Sequence, residues 1–190
     1  MLNLFGKGRG GGDEPHLLVV GMTGVRLGER VAHIGCAHGG RLAAVARKTG
    51  LSGRAVAIVP DDASAARARK GAAEAGVLVE IDIAPPTRLP ADDAAFDLVV
   101  IDDTAGLLGT MSTGDRAATV REALRLLRPG GRIIVIGSGR PVGLGRLLGR
   151  GPAGPQFDAA PALQADGFRS VRQLAERDGL VFVEGIKPRP

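Results

Sequence analysis

The chain has 190 residues, 44% hydrophobic and 24% charged with mean hydropathy of +0.11, which excludes a disordered or fibrous chain and fits one globular domain. No apolar run approaches the roughly 18 to 20 residues needed to cross a bilayer, so the expected location is the cytoplasm, with no membrane partner. The single cysteine, Cys36, excludes an internal disulfide framework and a zinc site of four thiolates.

Residues 1–12 are glycine-rich and read as a flexible arm, with 13–190 as a single domain. A short helix over 16–22, covering the sheet edge, precedes a first strand at 31–34, which ends in Gly35-Cys36-Ala37-His38-Gly39-Gly40. Leu42, Val45 and Ala46 fall at helical spacing over 41–49, and Gly50 stops that helix. The unit repeats as a strand at 55–59, the acids Asp61 and Asp62, an alanine-rich helix over 63–75 and a third strand at 77–83. A fourth strand, 96–101, ends in Asp102-Asp103. Near-continuous apolar strands alternating with helices predict a three-layer α/β fold, a doubly wound Rossmann-like parallel sheet covered on both faces.

Ser112 or Thr113 with Asp115 signals an N-cap for the next helix, Pro129-Gly130-Gly131 breaks the chain, and 132–137 form a fifth strand. Residues 139–161, rich in Gly and Pro, read as a long loop and candidate lid. Segments 168–175 and 180–185, joined through Asp178-Gly179, read as a β-hairpin.

A net charge of +5 and a pI of 10.3 raise a polyanion as partner, with eight arginines between Asp115 and Arg150. Arginine outnumbers lysine 21 to 4, a bias that GC-rich coding produces whatever the function. With no Trp or Tyr, stacking platforms for bases are missing, so any nucleic-acid binding is expected to be weak, non-specific and salt-dependent. Arg121, Arg125, Arg128 and Arg132 form a stripe that reads as a solvated helix face rather than an anion site.

The run from Glu122 to Arg132, EALRLLRPGGR, follows the five-strand core and precedes the closing hairpin. Together with Gly28-Glu29-Arg30-Val31, Leu89-Pro90, Phe96-Asp97-Leu98-Val99-Val100 and Ala165-Asp166-Gly167-Phe168, it resembles the class I S-adenosylmethionine-dependent methyltransferases, the type 11 group among them. The resemblance implies seven strands with the last antiparallel. It also implies a donor held in the crevice at the carboxyl ends of the strands, around His33, Gly35, Cys36, Ala37 and Gly39.

Three positions depart from what the resemblance implies. The acid that helps hold the donor's methionine end is His33, and the acid that takes both ribose hydroxyls, aligned over 53–58, is Val59. The third acid, near the adenine, falls on Pro85. Hydrogen bonds to charged groups are worth about 1.5 to 3 kcal/mol each, so losing ribose and adenine partners costs roughly 3 to 6 kcal/mol, or two to four decades in affinity. The expected protein therefore binds S-adenosylmethionine weakly or not at all and serves a non-catalytic or regulatory role, with the acceptor or protein partner unknown. The alternative is an active small-molecule methyltransferase that recovers the ribose through Asp61 or Asp62, with Asp82 near the adenine; a further alternative is a basic module binding polyanions.

Candidates for acid-base work are Asp102, Asp103 and His38. His33 is expected within hydrogen-bonding reach of Asp102 or Asp103, with its pKa raised above about 6.5. The glycine loop also fits a loose dinucleotide fingerprint, which needs the same missing acid at Val59. His33, Cys36 and His38 with the two aspartates raise a metal site, against which stands the ordinary hydrogen-bonded histidine, so no metal is expected.

Overall fold

The computed structural model describes residues 16–139 and 157–189. The arm over 1–12 and most of the stretch 139–161 lie outside the described residues. In chain order the elements are α1 (Leu17–Thr23), β1 (Arg30–Ile34), α2 (Gly39–Thr49), β2 (Arg54–Val59), α3 (Asp62–Ala75) and β3 (Glu80–Ile83). There follow β4 (Phe96–Asp102), α4 (Thr113–Leu126), β5 (Leu127–Ser138), α5 (Ala159–Ala165), β6 (Arg169–Arg177) and β7 (Leu180–Ile186). They build one seven-stranded sheet in the order β3-β2-β1-β4-β5-β7-β6. β7 runs antiparallel to both its neighbours, and the other pairings are parallel. This is the three-layer, doubly wound α/β architecture expected from the sequence, with its last strand antiparallel.

Alternation along the strands divides the core. Ala32, Ile34, Val99 and Ile101 pack with Val120, Ala123 and Leu163 of α4 and α5 on one face of the sheet. Val31, Leu98, Val100 and Ile134 pack with Val19 of α1 and Val45 of α2 on the other. The first helix therefore lies over central strands beside α2, not at the sheet edge. Because His33 shares the parity of Val31 and Asp102 that of Val100, both face the α2 side. This placement puts two polar side chains beneath one helix.

Local chemistry explains the boundaries. Asp61 caps α3 through Ser64 N, and Ser112 Oγ accepts from Asp115 N at 3.1 Å while donating to its carboxylate at 2.8 Å, a reciprocal cap for α4. Asp178 and Gly179 have φ of 54° and 74°, the two left-handed positions of a two-residue hairpin turn. Two boundaries differ from the sequence reading. β3 begins at Glu80 because Val77 N is tied to Ala72 O, closing α3. Pro129-Gly130-Gly131 does not separate α4 from β5; the strand starts at Leu127 and absorbs the turn as a register shift against β4 between Phe96 and Leu98. Residues 159–161, read as loop, open α5 under an Asp158 cap.

Candidate functional site

The carboxyl ends of β1, β2 and β4 meet the first turns of α2 and α3 around a cavity of about 180 Å³, lined by Gly35, Cys36, Ala37, Asp61, Ser64, Arg67, Asp102 and Leu107 among others. Larger hollows of about 380 and 410 Å³ lie between α1, α2 and α3 and at the opposite end of the sheet. None of the candidate site residues lines either of them, so chemistry rather than size selects the small crevice. The chain leaves β1 through Gly35 at φ 76°, with Gly35 N bonded to Ile58 O at 2.9 Å. A Cβ there would lie 2.9 Å from Leu107 Cδ2 and 3.2 Å from Asp102 O, so both backbone conformation and space require glycine.

Asp102 is the hub. Its side chain is fully buried and accepts from Ala37 N at 3.1 Å, Thr104 N at 3.2 Å and Thr104 Oγ1 at 2.6 Å. Arg41, in the first turn of α2, reaches both carboxylate oxygens at 3.4 Å and also donates to Thr104 Oγ1. Burial alone would lift the Asp102 pKa, but the Arg41 charge and the Thr104 bonds outweigh it and hold the carboxyl below its usual range. Asp102 is thus a structural anion already satisfied from four donors. Arg41 and Thr104 escaped the sequence reading because an arginine early in a helix and a threonine after a strand carry no signal of their own.

His33 does not bond Asp102 or Asp103. Its Nδ1 lies 2.9 Å from Gly35 O, and since a carbonyl only accepts, Nδ1 carries the proton. Nε2 is buried with no hydrogen-bond partner. Burial lowers the His33 pKa, with Arg41 adding to the fall and Asp102 and the Gly35 bond opposing it. The expectation of a raised pKa is therefore corrected: desolvation outweighs the nearby carboxylate, which Arg41 already neutralises.

The remaining candidates separate. Cys36 is buried and its thiol is pushed up to about 11 by desolvation and the Asp102 charge, so it is an inert loop residue. His38 is exposed and caps α2, its Nδ1 accepting from Gly40 N at 3.2 Å, while its ring tilts against His16 with centroids 5.0 Å apart. Asp103 is buried outside the crevice lining and accepts from Leu108 N at 2.6 Å; burial raises its pKa to about 6, Asp102 adding to the rise and the Leu108 and Gly109 amides opposing it. Among the described residues no three His, Cys, Asp or Glu side chains are placed to hold a metal ion.

Gly39 begins α2 and is in tight contact with α3, where an added Cβ would lie 2.2 Å from Arg67 O. Val59 is fully buried in an apolar cluster with Leu42 and Ala65. Asp61 is exposed and lines the crevice, but its Oδ1 is held by Ser64 N at 2.7 Å, which lowers its pKa. Asp62 is exposed in the first turn of α3. Asp82, paired in register with Ile58, does not line the crevice, and Pro85 is exposed. Sequence reasoning also missed Arg67, whose Nε donates to Cys36 O at 2.9 Å and whose terminal nitrogen donates to Ser64 Oγ at 2.7 Å.

The arginine stripe is mostly consumed within the fold. Arg125 pairs with Glu122 and Asp93 and donates to Leu89 O and Ala91 O; Arg128 pairs with Asp97; Arg132 pairs with Glu29 and donates to Thr23 O and Gly24 O. It ties α4 and β5 to neighbouring loops instead of forming a solvated face. Among the described residues no helix is long and apolar enough to cross a membrane.

Residues 31–131, just over half of the chain, match the model of a methyltransferase domain. The chain belongs to that methyltransferase family. The chain is 30% identical over 122 residues to the ubiquinone/menaquinone biosynthesis C-methyltransferase UbiE of Idiomarina loihiensis, covering 63% of this chain and 47% of that protein. It is 29% identical over 172 residues to the 27-O-demethylrifamycin SV methyltransferase of Amycolatopsis mediterranei, covering 90% and 58%. The chain thus spans about half to three fifths of these relatives' lengths. A SAM-dependent methyltransferase from Aquifex aeolicus shares the fold with a TM-score of 0.72 at 18% identity, over 92% of this chain and 94% of that one. The [4+2]-cyclase SpnF shares it with a TM-score of 0.67 at 20% identity, over 91% and 79%.

Proposed function

We propose that this chain is a methyltransferase-fold protein whose hold on S-adenosylmethionine is weakened, and that it acts in the cytoplasm as a non-catalytic or regulatory member of its family. The observation that carries this reading is Val59: the end of β2, where the family resemblance implies a carboxylate for the ribose, is apolar and fully buried. The residues present do not fit the donor as that resemblance describes it. The crevice of about 180 Å³ falls below the roughly 300 to 1,000 Å³ typical of small-molecule sites. Leu107 and Arg67 are among its lining residues, and neither replaces the missing acid.

One observation favours a second reading, an active small-molecule methyltransferase. Asp61, two residues beyond Val59, lines the crevice with a carboxylate, the group that takes a ribose hydroxyl. The similarity to the 27-O-demethylrifamycin SV methyltransferase supports a small-molecule acceptor in that case. Calorimetric titration with S-adenosylmethionine and its demethylated product separates the two. The first reading expects affinity in the high micromolar range or weaker; tight, low-micromolar binding that Asp61→Ala abolishes would establish the second.

A further inference from the structure

We infer that Arg67 is a gate on the nucleoside end of the crevice, a side chain a ligand must displace before it can enter. The inference deepens the reading of weakened donor binding and rests on it, but it concerns a different residue and a different physical cause. Val59 removes a partner; Arg67 adds an obstacle.

Arg67 sits two turns into α3, and its backbone is fixed by the close contact with α2 at Gly39. From there its guanidinium spans to the β1–α2 loop, binding Cys36 O at 2.9 Å with Nε and Ser64 Oγ at 2.7 Å with a terminal nitrogen. Both acceptors line the crevice, as do Pro60 and Asp61, which follow directly on Val59. The planar fork therefore closes the side of the crevice that borders the end of β2. Two independent facts argue for a gate rather than a strut. Arg67 is exposed as a residue, so its head group can swing into water without leaving a buried charge behind. Its loop partner is a single backbone carbonyl in a turn already held by Gly35 N to Ile58 O and by Ala37 N to Asp102, so the loop does not depend on it.

Displacing the gate breaks two hydrogen bonds from a charged donor, a loss softened because water replaces them at an exposed site. Removing the side chain should accordingly tighten a nucleoside ligand by about tenfold. Lysine keeps the charge but lacks the fork that reaches two acceptors at once, so it should give only part of the gain.

The test is a titration of the full chain, its Arg67→Ala and Arg67→Lys variants and Ser64→Ala, with S-adenosylmethionine and separately with adenosine, which lacks the methionine end. Affinity is followed by the amide resonances of Gly35 and Gly39, and folding by thermal denaturation. The gate requires Arg67→Ala to tighten both ligands, Arg67→Lys to lie between, and Ser64→Ala, which frees one tether while keeping the guanidinium, to give a smaller gain. Unchanged or weaker binding by a folded Arg67→Ala, or by Ser64→Ala where Arg67→Ala does not fold, overturns it. The two ideas fail separately. Tight binding by the unaltered chain refutes weakened donor affinity whatever the variants do, whereas weak binding with no gain in the variants refutes only the gate.

Discussion

Replacing Arg41 with methionine should be the most informative single change in this fold. Arg41 lies 3.4 Å from both oxygens of Asp102, and the side chains are 14% and 0% exposed. At that distance and an effective dielectric of about 20 the attraction is roughly 5 kcal/mol, an upper limit. Asp102 keeps its bonds from Ala37 N and Thr104 in the variant, and methionine preserves much of the packing of the stem. The expected loss at neutral pH is therefore about 3 kcal/mol, near the low end for stranding a buried charge, or about 6 to 12 °C in Tm. The pH dependence carries the distinctive signature. In the unaltered protein the Asp102 pKa lies below its unfolded value, so its contribution persists until the pH falls through that lowered pKa. Without Arg41, burial is opposed only by weaker groups and the pKa rises above the unfolded value, so the variant is penalised as pH rises and relieved as it falls. Urea denaturation at pH 7 and pH 4.5 measures both arms. A deficit below about 1 kcal/mol, or one equal at the two pH values, would refute the account of Asp102 as an anion held by Arg41.

Two further outcomes follow from the same buried groups. His33 is held neutral in the folded state with its pKa lowered, so the unfolded chain takes up a proton that the native one refuses, and stability falls as pH drops below about 6.5, by at most about 1.4 kcal/mol per pH unit. His33→Leu should remove that slope in denaturation between pH 7.5 and 5.5, and parallel slopes for the two proteins would contradict it. Asp103 has the opposite sign: with its pKa raised to about 6, it weakens the fold as pH rises from about 4 through 6. Asp103→Asn should gain on the unaltered protein over that window by up to about 2 kcal/mol, after discounting for partial solvent access. No relative gain would mean that the Leu108 and Gly109 amides fully compensate burial.

The fold was legible because it rests on patterns spread over many residues. Apolar strands at 31–34, 55–59 and 96–101, the helix stop at Gly50, and the Asp178-Gly179 turn each express a physical preference that one substitution cannot erase. What escaped were elements without such repetition. α5 has seven residues, includes Pro161 and follows a Gly- and Pro-rich stretch, so its only local signal is the Asp158 cap. The start of β5 was hidden because Pro-Gly-Gly reads as a break, although a strand at a register shift tolerates it.

The site was legible only in part because its chemistry depends on which charges meet, and that depends on the packing of helices. The sequence shows His33 standing where the family resemblance implies an acid, and it invites pairing with Asp102, since β1 and β4 are neighbours. In the fold Asp102 is already committed to Arg41, Thr104 and the Ala37 amide, leaving His33 to turn back onto Gly35 O. With His33 turned back on β1, the carboxylate on β4 alone anchors the glycine loop and α2 together. That division lets the turn at Gly35 and the start of α2 stand while the end of β2, at Val59, is apolar. The loop is supported from beneath by Asp102 and Arg41, whereas Asp61 and Arg67 line the crevice from the start of α3, beyond Val59 at the end of β2. On the reading proposed above, stability and ligand recognition fall to different residues of the same crevice. It follows that changes at Arg41 should read out mainly in denaturation, and changes at Arg67 mainly in titration.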